Sequence, residues 1–303
     1  MRTPKDRLFH SAKSIVASIG LIALALGCDS SGVTEKNLRH GVITFGPNLT
    51  ETVYALGQGD RIVGVTNFCD YPPEAQTKKR VGGYLDPDLE TITALSPELI
   101  ILPGKMEKLA QLAEQNHFKI LNAHMDDMTS IHSSIREIGT ALNCTDKAET
   151  LLAKIESDLD TVRKAVKDKP RLKVLLINTR PSHDLNNIFT VGKLSFMSEL
   201  TTIAGGDNIF NDTEKPYFEA SKESIVARAP DVIIEFHAGE NISPEEQARY
   251  IADWNELNTV PAVQNKRVYL FLESYGLRPG PRVGLIAAQL AKMLHPDVPL
   301  PEP

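Results

Sequence analysis

Two stretches decide how this chain is read: Glu90-Thr-Ile-Thr-Ala-Leu-Ser-Pro-Glu-Leu-Ile-Ile101 and Glu223-Ser-Ile-Val-Ala-Arg-Ala-Pro-Asp-Val-Ile-Ile234. Both follow E-x-I-x-A-x-x-P-[E/D]-[L/V]-I-I. A tyrosine, Tyr84 or Tyr217, stands six residues before each glutamate. A shorter echo lies upstream of each, Gly59-Asp60-Arg61-Ile62 and Gly206-Asp207-Asn208-Ile209. Two copies this far apart indicate two similar lobes, because a solenoid needs several units of a few tens of residues each. Within each copy a short helical segment is stopped by proline and followed by an apolar strand, the alternation that builds α/β folds.

The same alternation continues outward. β-rich runs fall at 42–45, 61–65, 99–102, 119–121, 172–177, 232–235 and 267–271. Helical patterns fall at 49–56, from Asp88 to the stop at Pro97, and at 105–116, 195–204, 221 onward, 244–252 and 282–294. Asn48 or Thr50 is the expected cap of the first. One segment differs: Ala148, Leu151, Leu152, Ile155, Leu159, Val162 and Val166 recur at three- and four-residue intervals. With Thr145 or Asp146 as cap and Pro170 as stop, a helix over 146–167 extends roughly 33 Å. It lies between the two copies of the repeat and reads as a rigid spine joining two Rossmann-like α/β lobes with parallel-rich sheets.

The chain's 303 residues suffice for two domains with full cores. Charged residues at 24% and hydrophobic residues at 42% describe an ordinary globular protein, and a net charge of -6 lacks the basic footprint of nucleic-acid binding. The N-terminus carries Arg2, Lys5, Arg7 and Lys13 before an apolar run over 15–26. As a helix that run is about 18 Å long, short of a bilayer core of about 30 Å, which is the pattern of a secretory signal. It ends at Ala25-Leu26-Gly27-Cys28, which resembles a bacterial lipobox and makes Cys28 the lipidated first residue of the mature chain. The alternative is ordinary cleavage near Gly27. The expected organisation is a signal peptide over 1–27, lipidated cysteine and tether over 28–37, an N-terminal lobe over 38–142, the linking helix over 143–169 and a C-terminal lobe over 170–303. An oxidising compartment permits a bridge between Cys69 and Cys144, provided the fold brings their Cα atoms within bridging distance. No C-x-x-C or histidine cluster points to a metal.

The chain resembles the helical-backbone class of periplasmic binding proteins, which deliver cobalamin, haem and iron-siderophore complexes to ABC importers. The likeness rests on Pro47-Asn-Leu-Thr-Glu51, Asp70-Tyr-Pro-Pro73, Val81-Gly-Gly-Tyr84, the two repeated phrases, Ala204-Gly-Gly-Asp-Asn-Ile-Phe210 and Arg278-Pro-Gly-Pro-Arg282. It covers about 38–295, and the Asp70–Pro73 segment is most similar to the cobalamin-binding branch. The resemblance implies a corrinoid or other large metal-chelate cargo, an ABC permease dimer as partner, no cofactor, a monomer, and a periplasmic or cell-envelope location. The lipobox adds membrane attachment through lipid alone, and Asp29 directly after Cys28 resembles the signal for retention at the inner membrane. The family resemblance places cargo contacts at Tyr71, Tyr84, Phe189, Tyr217 and Tyr275, with Arg278 beside them. It places permease docking at Glu90 and Glu223. Haem or a ferric siderophore is the alternative cargo: Tyr84 would suit haem iron, while a siderophore would want Arg180, Arg278 or Arg282 in the cleft.

The residue types fit such a cargo. A corrinoid is a broad, partly apolar disc fringed with amides, and tyrosine offers both a ring face and a hydroxyl. The plainer reading makes some of these rings core or surface residues. A glutamate in a first helical turn is favoured by the helix dipole whatever else it does. Two equivalent acids on two lobes match a two-fold partner. Catalytic readings fit less well. Ser182-His183-Asp184 are adjacent and cannot converge as a triad. Gly57-Gln58-Gly59 lacks the dinucleotide spacing, and an α/β metal-handling enzyme would need clustered cysteines.

Overall fold

The computed structural model describes residues 41–300; the expected signal segment, Cys28 and the tether lie outside the described residues. The first half contains β1 (Val42–Thr44), α1 (Pro47–Ala55), β2 (Ile62–Val65), β3 (Lys79–Arg80), α2 (Leu89–Leu95), β4 (Leu99–Leu102), α3 (Glu107–Asn116), β5 (Lys119–Asn122) and α4 (Met128–Ala141). α5 (Thr145–Val166) follows. The second half contains β6 (Leu172–Thr179), β7 (Ile188–Val191), α6 (Phe196–Ile203), β8 (Gly206–Asn208), β9 (Tyr217–Ala220), α7 (Lys222–Arg228), β10 (Val232–Phe236), α8 (Pro244–Asp253), α9 (Pro261–Gln264), β11 (Val268–Phe271) and α10 (Val283–Leu294).

The first sheet runs β3-β2-β1-β4-β5 with every neighbouring pair parallel. The second runs β11-β10-β6-β7-β9, with β8 alongside the start of β6. There β10 is parallel to β6 and β11, whereas β7 is antiparallel to β6 and β9. The fold is therefore α/β, with two parallel-rich sheets and one long helix between them in sequence. Central strands are buried on both faces and read as unbroken apolar runs. In β10, Val232 and Ile234 enter one core cluster and Ile233 enters another.

The first of these clusters is shared by the two sheets. It takes Val42, Leu99 and Ile101 from one and Val174, Leu176, Val232 and Ile234 from the other. Between them sits α5, burying Ala148, Leu152, Ile155, Leu159, Val162 and Val166 at alternating four- and three-residue steps. Close helix crossings seat it. A Cβ built at Gly139 of α4 would lie 2.6 Å from that of Ala148, and one at Gly284 of α10 would lie 2.7 Å from that of Asp158. Only glycine lets both neighbours approach α5 so closely.

The repeat is visible as structure. α2 and α7 each have seven residues, capped by Asp88 accepting from Thr91 N (2.9 Å) and by Ser221 accepting from Ser224 N (3.2 Å). Each ends in a left-handed residue, Ser96 at φ 45° or Ala229 at φ 48°, before the proline and the apolar strand. The tyrosines differ, since Tyr217 opens β9 while Tyr84 lies in the turn after β3.

Some local expectations are corrected. α1 begins at Pro47 after Gly46, with no side-chain cap, so neither Asn48 nor Thr50 caps it; proline at the first position needs no N–H there. α5 begins at Thr145 with Cys144 in the cap position and no side-chain cap bond, and Asp146 complements the dipole from the first turn. α4, β8 and the antiparallel β7–β9 pair have no counterpart among the sequence-based elements. Cys69 and Cys144 are unbridged and buried, and Cys69 Sγ accepts from the Thr50 hydroxyl at 3.1 Å. Among the described residues no helix is long and apolar enough to cross a membrane.

Candidate functional site: the seam between the two sheets

In a parallel sheet every strand ends on the same edge, and crevices outside the carboxyl ends are where open α/β sheets bind ligands. Segments of the two sheets meet at two bridges, the first at the carboxyl edges and the second beyond the end of the antiparallel strand β7. The first is ionic. Arg278, in the loop after β11, forks onto Asp70 in the loop after β2 (Nη1–Oδ1 2.5 Å, Nη2–Oδ2 3.1 Å) and reaches Glu51 Oε1 of α1 at 3.1 Å. Arg282 forks onto the same glutamate through Nε (2.8 Å) and Nη2 (2.5 Å). Glu51 is 3% exposed. The paired, fork-on-fork geometry is what such a buried acid needs. The Arg278 hydrogen bonds hold the Asp70 carboxyl below the usual range, against the opposing effect of burial.

The second bridge is made of backbone and one acid. Phe196 N donates to Asp126 O at 2.8 Å, and Met128 N, at the start of α4, donates to Glu199 Oε1 of α6 at 3.0 Å. Beside it Ser195 Oγ lies 3.3 Å from the Tyr217 hydroxyl. Burial, with the nearby Asp126 charge, raises the pKa of that phenol, while the Ser195 bond pulls it down.

Each bridge carries one half-open tyrosine, Tyr71 (45% exposed) at the first and Tyr217 (40%) at the second. The Arg282 guanidinium lies 4.1 Å from the Tyr71 ring centre and 5.1 Å from that of Tyr275. Tyr84 and Phe189 are exposed as well, Tyr84 in the turn after β3 and Phe189 on β7. On β7 and β9, Phe189 faces Glu219 and Val191 faces Tyr217 in register, so the two rings share one face of the sheet. Tyr275 has a different place. It is buried in the shared core, edge-on to Phe271 (ring centres 5.9 Å apart), and its hydroxyl has no hydrogen-bond partner. Of the expected contacts, Tyr71, Tyr275 and Arg278 thus gather around the ionic bridge, and Tyr84, Phe189 and Tyr217 stand outside it.

Sequence reasoning overlooked Phe68, Leu85 and Leu194, large apolar side chains exposed in the same loops as Tyr71, Tyr84 and Tyr217's neighbour Ser195. It also gave no role to Asp70 and Glu51, although both stand inside quoted motifs. A cavity of about 740 Å³ opens next to the ionic bridge, lined by Tyr54, Tyr71, Leu151, Arg282 and Leu285 with Asp60, Glu74 and Asp158. Tyr84, Phe189 and Tyr217 do not line it.

Glu90 and Glu223 are exposed in the first turns of α2 and α7. The three arginines considered for a siderophore are all engaged. The Arg180 side chain is fully buried against Glu235 (2.8 Å) and Asp253 (3.0 Å), and the other two form the ionic bridge. His183 contacts Glu246 and Asp253, and Ser182 contacts Tyr250, so those neighbours do not converge on each other. Among the described residues no group of three or more His, Cys, Asp or Glu side chains is placed to hold a metal.

A sequence model of the periplasmic binding proteins matches residues 42–275. The chain belongs to that family. Within the family it is 28% identical over 261 residues to the vitamin B12-binding protein of Pectobacterium atrosepticum, covering 84% of this chain and 88% of that protein. It is also 28% identical over 272 residues to YvrC of Bacillus subtilis, described as an ABC transporter substrate-binding lipoprotein, covering 88% and 83%. Among solved structures, the periplasmic vitamin B12 binding protein BtuF of Vibrio cholerae superposes with a TM-score of 0.68 at 25% identity, covering 84% of this chain and 96% of BtuF. Family members of this kind are substrate-binding proteins rather than enzymes, and an envelope location fits.

Proposed function

We propose that this protein is the substrate-binding component of an ABC importer and that it captures cobalamin or a related corrinoid in the seam between its sheets. What carries the reading is the agreement of two facts. Its relatives along 84% of the chain include a vitamin B12-binding protein, and the aromatic side chains Tyr71, Tyr84, Phe189 and Tyr217 stand exposed on loops and strands of both sheets. In this view the rings act together as one apolar surface, the kind of exposed patch that marks an interaction site, whereas single exposed rings are ordinary. On this reading the lobes are 38–142 and 170–303, joined through 143–169. Cys28 carries the lipid, and the monomer docks on a permease dimer through Glu90 and Glu223. Exposed ion pairs contribute about 0–1 kcal/mol each, so docking sets orientation and stays weak enough for release.

Haem remains the second reading, supported by the exposure of Tyr84. A siderophore is disfavoured because Arg180, Arg278 and Arg282 are already paired. The test is calorimetric titration of the mature protein with cyanocobalamin, haemin and a ferric hydroxamate. The expected result is one-to-one binding of cyanocobalamin, weakened about tenfold or more by Tyr217→Ala, the loss of roughly 1.4 kcal/mol, with an unchanged melting curve. Haemin binding without cyanocobalamin binding would replace the corrinoid reading with the second one. Charge reversal at Glu90 and Glu223 together is expected to impair uptake and spare binding.

A further inference from the structure

We propose that Glu51 is a positioning residue: by holding Arg278 and Arg282 it fixes the spacing of the two sheets and sets the Tyr71 ring in the seam. The half of this concerning Tyr71 rests on the cargo reading above; the half concerning spacing does not. Glu51 sits in the middle of α1, 3% exposed, on the first-sheet side. Both of its charged partners arrive from the other side, 227 and 231 residues further along the chain. Two carboxylates and two guanidiniums make the group electrically neutral. Arg282 side-chain exposure is 13% and that of Arg278 is 16%, so little water is present to replace a lost partner. Paired forks fix both distance and angle, which a single point charge does not.

Arg282 carries the constraint onward. Its guanidinium is held by Glu51 through two hydrogen bonds and lies 4.1 Å from the Tyr71 ring centre. Asp70, the residue before Tyr71, is held by Arg278. Arg80 braces the same loop from β3, donating to Thr66 O and Cys69 O at 2.9 Å each. Tyr71 is therefore held through its backbone neighbour and through its ring, and both holds lead to arginines that Glu51 grips. Nearly half the tyrosine remains open to a guest.

The test measures the gap without cargo. Nitroxides at Leu85→Cys and Leu194→Cys, exposed 86% and 47% on opposite sides of the seam, report it by pulsed dipolar spectroscopy in a Cys28→Ser background, with Cys69 and Cys144 buried. Glu51→Gln is expected to broaden and lengthen the distance distribution while the far-ultraviolet circular dichroism stays native. Asp70→Asn, at the half-exposed end of the cluster, is expected to do the same more weakly and stands in if Glu51→Gln does not fold. A distribution unchanged in the variant that folds would overturn the spacing role. For the Tyr71 half, cyanocobalamin affinity is read in a double-mutant cycle. Glu51→Gln is expected to cost about two- to tenfold, and adding it to Tyr71→Ala to cost nothing more. Multiplying losses would overturn positioning through Tyr71. Absence of cyanocobalamin binding by the unaltered protein would overturn the cargo reading and the Tyr71 half, leaving the distance measurement to judge the spacing half.

Discussion

The two bridges across the seam solve one problem with different chemistry. At Glu51–Arg282 and Asp70–Arg278 the sheets are joined by four charges from residues far apart in the chain. At Asp126–Phe196 and Met128–Glu199 they are joined by main-chain amides, with one carboxylate accepting at the start of a helix. The ionic bridge depends on side chains and can be undone by single substitutions or by acid. The amide bridge depends mostly on backbone, which the spine and the shared core already hold in place. In this arrangement one junction between the sheets rests on a few charged side chains and the other on main chain.

That contrast is open to direct attack. The largest effect is expected from Glu51→Ala, which strips a buried acid from two guanidiniums and leaves Arg282 without a carboxylate. Breaking a buried pair in this way costs about 3–5 kcal/mol, measurable as a fall in the urea midpoint at unchanged slope. A loss under about 1 kcal/mol would reduce the ionic bridge to a surface ornament. Glu199→Ala should cost less, about 1–3 kcal/mol for an amide left unpaired, because the Phe196–Asp126 bond persists beside it. Equal costs at the two bridges would erase the distinction. The smallest effect is expected from acid. Arg278 depresses the Asp70 pKa, so this carboxylate adds stability that is fully present above the ordinary aspartate value of about 3.9 and is lost as pH falls through the lower folded value. The Leu85–Leu194 distance should therefore stay constant between pH 7 and 5 and widen only in stronger acid. Widening that begins near neutral pH would point to a histidine elsewhere.

How much of this was legible in the sequence follows the same division. The repeat, the alternation and the spine could be read because their signals are local. Apolar residues four and three apart mark α5, and a capped seven-residue helix with proline after its left-handed end marks both copies of the phrase. α4 was harder, because Thr129, Ser130, Ser133 and Ser134 break up the pattern of Ile131, Ile135 and Ile138 and such side chains compete for backbone hydrogen bonds. The β7–β9 pair was hidden because a parallel template was expected on both sides. The tyrosines showed their spacing but not their surroundings: equal offsets placed Tyr84 in a turn and Tyr217 on a strand, while Tyr275 was folded into the core. The ionic bridge was out of reach. Nothing at Glu51 announces a partner 231 residues away, and an acid in a helix reads as solvent-facing until the packing is known.

The central claim is that a flat guest sits between the two sheets, touching rings from both. A crystal structure of the mature protein grown with cyanocobalamin tests it most directly. The account predicts the corrin ring in the seam, in contact with Tyr71 or Tyr84 from the first sheet and with Phe189 or Tyr217 from the second, with the Glu51–Arg282 pair intact beneath it. Corrinoid density confined to the cavity beside Leu151 and Leu285, or touching the rings of one sheet alone, would contradict it.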